Sequence, residues 1–305
     1  MVGKTPHVKV KFGSGIGNGR KNNSSIFIKL EGQNTTGSVK DRTGVVLLQD
    51  VIRRGELKPG MTVLDASSGN LGCSLAFYSK LFGYRAFIVS SSKLTDEKRD
   101  FMLYYGAEVY QTGNWTIEGN QYCRELVQQE PGRYCFLDQL HNWGNPRAHY
   151  ESTGPEIMAE FPKLEMVVGS LGTGGFLLGT GQFIKQHSPH VKIVAVQSAL
   201  GTRLAGTASL DEGDYVTPFI ENGYASKIFD HTVKVNEADA ISRTFQLRDQ
   251  GIFCGLQTGG VLHAALAAVD QHNIKGEVVV LSGDAGWKNM DKLIGFMETR
   301  AAFAH

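Results

Sequence analysis

The chain has 305 residues, 41% hydrophobic and 20% charged, which suits a globular protein large enough for two domains with sizeable cores. Its formal net charge of +1 leaves no electrostatic footprint for nucleic acid or an anionic membrane surface. No apolar run is long enough to span a bilayer, and Met1 is followed by Val2-Gly3-Lys4 rather than by a secretory leader. Cys73, Cys123, Cys135 and Cys254 are scattered, with no CxxC pair and no metal-ligand spacing. They read as buried free thiols in a reducing compartment. The expectation is a cytoplasmic protein that binds no metal, nucleic acid or membrane.

In chain order, the pattern predicts a strand over 8–12, a strand over 26–30, and between them Gly13-Ser14-Gly15-Ile16-Gly17-Asn18-Gly19. That glycine run leads to another strand, so it reads as a hairpin loop rather than a phosphate cradle. Lys40 then opens an amphipathic helix carrying Val45, Val46, Leu48, Val51 and Ile52. Strand and helix alternate from there: strand 62–65, helix 71–81, strand 86–89, and a helix capped by Thr95 and stopped at Gly106. A short strand at 109–110, a helix over 118–129 and a strand over 134–137 follow. A second series has strand 166–168, helix 176–186 and strand 193–196, then strand 233–235 and helix 238–248. It closes with a helix from about 260, strand 278–281 and a last helix. The segment 199–230 reads as irregular, either a surface excursion or the cover of a site.

Such alternation predicts an α/β protein of two domains, each a mostly parallel twisted sheet flanked by helices. The expected division is a smaller N-terminal domain over 36–145 and a larger one from 1–35 with 146–305, the active site lying in the cleft between them.

Four segments could carry chemistry. Lys40, after Asn34-Thr35-Thr36-Gly37-Ser38-Val39, sits at a helix N-terminus, where the dipole favours the neutral amine that Schiff-base chemistry needs. Taken alone, the segment reads first as a solvated surface lysine beside Asp41 and Arg42. Ser67-Ser68-Gly69-Asn70-Leu71-Gly72 joins a strand to a helix and could receive a small carboxylate on backbone N–H groups, or could simply be a capped helix start. Gly172-Thr173-Gly174-Gly175-Phe176 again joins strand to helix. Its spacing is not GxGxxG and no GxxxxGK[ST] occurs, so a monophosphate fits it better than a dinucleotide. Gly255-Leu256-Gln257-Thr258-Gly259-Gly260 leads into another helix, where Thr258 alone reads as an N-cap and His263 as structural. No HExxH, no GxSxG and no clustered carboxylates of the kind acid–base hydrolases use are present.

In this order and spacing, from Thr5-Pro6 to Gly283-Asp284-Ala285-Gly286-Trp287-Lys288, the segments resemble the cysteine synthase (O-acetylserine sulfhydrylase) family. These are pyridoxal-phosphate enzymes of fold type II, the tryptophan synthase β-like group. Gly251-Ile252-Phe253 and Val261-Leu262-His263-Ala264-Ala265 bring the chain nearest to the B-type members. The resemblance implies that Lys40 binds the cofactor as a Schiff base and later moves the Cα proton. Asn70 would bond the 3′-hydroxyl of the pyridine ring, Gly172, Thr173, Gly174, Gly175 and Phe176 would hold the phosphate, and Thr258 would face the ring nitrogen. Ser67, Ser68, Asn70 and Leu71, with Gln139, would receive the substrate carboxylate.

A hydroxyl at the ring nitrogen makes a weaker electron sink than a carboxylate, which suits loss of a β-substituent more than transamination. The implied reaction is β-replacement on O-acetylserine or O-phosphoserine by a sulfur donor, through an α-aminoacrylate intermediate, to give cysteine. Another nucleophile or substrate on the same scaffold (2,3-diaminopropionate, cyanoalanine, cysteine desulfuration) and a catalytically silent binding homologue are the alternatives. The resemblance also implies a homodimer. Thr35, Leu71, Phe176, Gln197-Ser198 and Asp211-Glu212-Gly213-Asp214-Tyr215 depart from the family pattern, which bears on the substrates more than on the cofactor.

Overall fold

A computed structural model describes residues 2–11 and 24–302 and divides into two compact units. The larger is Gly3–Val39 with Tyr150–His305, and the smaller is Lys40–His149 with Val2. The glycine run at 13–19 lies outside the described residues, as does the last residue of the strand expected over 8–12.

The larger unit begins with β1 (His7–Lys9) and β2 (Ser25–Leu30). The smaller runs α1 (Lys40–Arg53), β3 (Thr62–Ala66), α2 (Asn70–Leu81), β4 (Arg85–Ser90), α3 (Asp96–Tyr104), β5 (Glu108–Gln111), α4 (Thr116–Gln129), β6 (Tyr134–Phe136) and α5 (Gly144–Tyr150). The larger resumes with α6 (Thr153–Glu160), β7 (Leu164–Ser170), α7 (Gly175–His187), β8 (Lys192–Ser198), α8 (Pro218–Ala225), β9 (His231–Val235), α9 (Glu237–Arg248), α10 (Leu256–His272), β10 (Glu277–Ser282) and α11 (Met290–Ala302).

In the smaller unit four parallel strands lie in the order β5-β4-β3-β6. Every residue of β3 is buried. Successive side chains point to opposite faces: Val63 joins Leu47, Leu75 and Met102 of the helices on one face, while Leu64 and Ala66 meet Cys123 and Leu126 of α4 on the other.

In the larger unit the order is β1-β2-β10-β7-β8-β9, with β1 antiparallel to β2 and all other pairs parallel. Alternation is again complete. Val278 and Val280 pack with Ala240, Val261 and Leu262 of α9 and α10, whereas Val279 and Leu281 pack with Leu177, Leu178 and Phe219 of α7 and α8. Lys29 on β2 is fully buried and bridges Glu156 (3.1 Å) and Glu160 (3.3 Å) of α6.

Three departures from the expected elements have physical causes. The segment 199–230 contains α8, because Pro218 occupies its first turn and the Thr217 hydroxyl accepts the Ile220 N–H. α10 begins four residues before the predicted start, with Gly255 as N-cap, so Thr258 is helical and caps nothing. The Gly259-Gly260 pair, at the predicted start of this helix, lies in its interior, where a Cβ at Gly259 would stand 2.1 Å from the Ala240 carbonyl oxygen of α9. Thr95 does occupy the N-cap of α3, but its hydroxyl makes no capping hydrogen bond. The short helices α5 and α6 fall where the sequence pattern changes series.

All four cysteines are reduced and buried. Among the described residues no helix is long and apolar enough to cross a membrane, and no group of three metal-ligating side chains occurs.

Candidate active site

In open α/β sheets, ligands bind beyond the carboxyl ends of the parallel strands. In the smaller unit β3 leaves the sheet at Ala66 and turns through Ser67, Ser68 and Gly69 into α2. Ser67 is buried, and its Oγ accepts the N–H of Gly69 (3.1 Å) and of Gly72 (2.9 Å), so this hydroxyl braces the turn. Gly69 holds φ +147°, which a side chain would resist. Ser68 is exposed, and Asn70 is the first residue of α2, partly exposed. Leu71 sends its side chain into the core with Leu47 and Leu75. It can therefore offer a ligand only its N–H, one of the first-turn donors that a helix leaves without internal partners.

Gln139 reaches the same strand end. It is buried, its Nε2 donates to the Ala66 carbonyl (2.9 Å), and its own N–H donates to Asp65 Oδ2 (3.2 Å). Asp65 was not foreseen as a site residue. It sits on β3, fully buried, and its Oδ1 also accepts the Ala66 N–H (2.7 Å). Burial raises its pKa well above the ordinary carboxylate value, opposed by these two backbone bonds and by Lys40. A lone acid inside an apolar strand pattern gives no periodic or motif signal.

Lys40 is the first residue of α1 and is partly exposed. Desolvation lowers its pKa to about 8, while the attraction of Asp65 works the other way. One turn on, the Thr43 hydroxyl lies 3.2 Å from both Asn145 Oδ1 and His149 Nε2 of α5. His149 is fully buried, and burial followed by the charges of Arg42 and Lys40 pushes its pKa well below the usual imidazole value. The smaller unit thus gathers Lys40, Ser67, Ser68, Asn70, Leu71 and Gln139 around the head of β3, with Asp65 beneath them.

In the larger unit β7 ends at Ser170, and Leu171–Gly174 leads into α7 with Gly174 as a left-handed N-cap (φ +83°). Cβ atoms would not fit here: at Gly172 one would stand 2.9 Å from the Gly206 carbonyl oxygen, at Gly174 2.6 Å from Ile220 Cγ1. The Thr173 hydroxyl accepts the Gly175 N–H (3.4 Å), and the Thr173 carbonyl accepts the Thr217 hydroxyl (2.6 Å). Phe176 is buried among Leu177, Leu178 and Phe219, so it too presents only its backbone. The loop is therefore a bare backbone turn at the positive end of a 13-residue helix, a cradle for a phosphate-sized anion.

The segment after β8 lies on this loop: the Ala208 N–H donates to the Leu171 carbonyl (2.6 Å). Its charges are paired. Arg203 bridges Glu212 (3.0 Å) and Asp214 (2.8 Å), and Lys234 bridges Asp211 (2.6 Å). Gln257 of α10 ties the loop from the other side, donating to the Ser170 hydroxyl and to the Gly206 carbonyl (3.1 Å). Its neighbour Thr258 is fully buried, with Oγ1 2.8 Å from Ser282 Oγ at the end of β10. Burial pushes the adjacent Cys254 thiol up to about 12, and a hydrogen bond with Thr258 partly offsets this. The larger unit thus brings Gly172–Phe176 and Thr258 to the carboxyl ends of β7 and β10.

These residues fit pyridoxal phosphate. A lysine with a depressed pKa can form a Schiff base, the glycine turn suits a monophosphate, and the Thr258–Ser282 pair is a buried hydroxyl pair of a kind that could face a pyridine nitrogen.

Known proteins point the same way. A model of the pyridoxal-phosphate dependent enzyme family matches residues 1–283. Cysteine synthase B of Pseudomonas aeruginosa is 34% identical over 268 residues, 87% of this chain and 86% of that protein. O-acetyl serine sulfhydrylase isoform 3 from Entamoeba histolytica has a similar structure, with a TM-score of 0.84 at 28% identity over 95% of this chain and 88% of that one. O-ureido-L-serine synthase gives a TM-score of 0.83 at 27% identity over 95% and 91%.

Proposed function

The chain belongs to the pyridoxal-phosphate-dependent enzymes, within them to the B-type cysteine synthase family, and we propose that it makes L-cysteine from O-acetyl-L-serine and a sulfur nucleophile. The observation that supports this reading is the buried Thr258–Ser282 hydroxyl pair, which would offer the ring nitrogen a hydroxyl in place of a carboxylate. When bound, the cofactor withdraws electrons from the substrate Cα, and with a hydroxyl partner that withdrawal suffices for loss of a β-substituent but poorly supports a persistent carbanion.

The roles of the chain's own residues follow. First-turn N–H groups of α2, Ser68 and Gln139 would hold the α-carboxylate, Asn70 would bond the 3′-oxygen of the cofactor ring, and the N–H groups of Gly172–Phe176 would hold its phosphate. Lys40 Nζ, whose pKa lowered to about 8 eases access to the free amine, takes the Cα proton as the Cβ–O bond breaks and acetate departs. The sulfur then bonds Cβ, and Lys40 returns the proton. Asp65, with Lys40 in its field, holds Gln139 in place.

Charge supports one choice of leaving group. Arg203 is engaged by Glu212 and Asp214, and Lys234 by Asp211. The segment against the phosphate loop therefore favours a neutral acyl group over a dianionic phosphate. Those carboxylates also favour a second reading, β-replacement by a nucleophile that is not an anion, such as an amine.

The test is product analysis on the pyridoxal-phosphate-loaded enzyme with O-acetyl-L-serine or O-phospho-L-serine against sulfide, thiosulfate, cyanide and ammonia. Cysteine from O-acetyl-L-serine and a sulfur donor, lost in Lys40→Ala, is expected. Turnover confined to ammonia or cyanide would move the assignment to the second reading. Absence of any β-replacement would leave a silent homologue.

A further inference from the structure

α3 packs on the first turn of α2 through two residues one helical turn apart, Lys98 and Met102. A Cβ at Gly72 would stand 2.5 Å from Met102 Cε, and one at Gly69 would stand 2.4 Å from Lys98 Cδ and 3.3 Å from Lys98 Cε. Gly69 and Gly72 thus form a slot filled by these two side chains. Met102 is fully buried in the apolar core. Lys98 is only 8% exposed. The Lys98 backbone is fixed as well, its carbonyl accepting the Cys73 thiol of α2 (3.7 Å).

The lysine stem crosses the turn on the side where Gly69 lacks a side chain, and the ammonium lies one bond beyond Cε at the start of α2. Among the described residues no carboxylate forms an ion pair with it. A long aliphatic stem that delivers a charge across apolar surface is how lysine is used where the charge has a purpose. An ammonium kept this close to a helix N-terminus adds repulsion to the dipole unless an anion is bound there.

We propose that Lys98 is a substrate-binding residue that recognises the α-carboxylate of the amino acid held by the Ser67–Leu71 turn, a role that rests on the reading of that turn given above. Leu71 directs its side chain to the core and Ser67 Oγ is committed to backbone N–H groups. The turn therefore offers a carboxylate mainly neutral backbone donors, and Lys98 adds the full charge. Discrimination between an amino acid and its uncharged amide then depends on this one side chain.

The experiment is calorimetric titration of the holoenzyme with L-serine and with L-serinamide, at 20 and 300 mM salt. It compares the unaltered protein with Lys98→Met, which keeps most of the stem, and Lys98→Arg, which keeps the charge. The unaltered protein and Lys98→Arg are expected to prefer serine at least ~10-fold, with a preference that shrinks at high salt. Lys98→Met is expected to lose that preference, and to raise KM for the turnover substrate with little change in kcat. Equal weakening of both ligands in Lys98→Met, or an unchanged preference, overturns the proposal, because a packing role acts on both alike. A Lys98-dependent preference for serine in a protein that does not convert O-acetyl-L-serine would retain this site and reject the assigned reaction.

Discussion

Replacing Lys40 by methionine should stabilise the cofactor-free protein at neutral pH, because the native fold holds an ammonium that it partly desolvates. The shift from 10.5 to about 8 corresponds to about 3.4 kcal/mol at about 1.36 kcal/mol per unit. Between these values the unfolded chain binds the proton and the folded chain does not, so this group's contribution to stability rises with pH across that window. Below pH 8 the cost is nearly whole. The stability gap between Lys40→Met and the unaltered protein should therefore be about 3.3 kcal/mol at pH 7 and about 1.4 kcal/mol at pH 9.5. Asp65 keeps its bonds from Ala66 and Gln139 in the variant; without the Lys40 charge its pKa rises further and that of His149 is depressed less. Urea unfolding of the two cofactor-free proteins, followed by the fluorescence of Trp115 and Trp143 in the smaller unit, measures the gap at each pH. A variant no more stable at pH 7, or a gap that does not narrow by pH 9.5, would refute a buried charge as its origin and leave packing instead.

Three further outcomes are expected. Gly174→Ala should cost about 1–2 kcal/mol from its left-handed backbone and weaken pyridoxal phosphate binding at least ~10-fold in equilibrium dialysis. Gly213→Ala, equally left-handed (φ +79°) but open to space, should leave cofactor binding unchanged. Thr258→Val should cost about 1–3 kcal/mol in thermal unfolding by stranding the Ser282 hydroxyl, and Thr258→Ser should restore most of it. His149 is neutral in the fold because burial depresses its pKa. Stability should then fall as pH drops below about 6.5, by up to about 1.4 kcal/mol per unit, and His149→Asn should flatten that slope in urea titrations at pH 5 and 7.

Strand-helix alternation made the architecture legible, since parallel strands covered on both faces must be apolar throughout. Val278, Val279 and Val280 show why: neighbours on one strand enter opposite cores. Helix signals failed where tertiary contact overrides local preference. Gly259 and Gly260 stand at the predicted start of a helix, yet they lie inside α10, where they let α9 approach within van der Waals contact. Thr217-Pro218 is a sound helix start, hidden by the glycines and acidic residues around it.

In the site, the backbone-dominated parts were the readable ones. A turn that must be bare to approach an anion needs glycine, and glycine is visible in a sequence, so Gly172, Gly174 and Gly175 could be picked out. Leu71 and Phe176 depart from the family pattern in side chains that enter the core, while at a helix start their N–H groups point another way. Side chains that act through burial leave no such trace. Asp65 lies within a strand and Lys98 in a charged helix start, and each resembles its neighbours until the fold removes it from water. Burial raises the Asp65 pKa well above the ordinary carboxylate value, and holding groups of this kind away from water costs the unit that carries them, which is why both are candidates for the chemistry of the site.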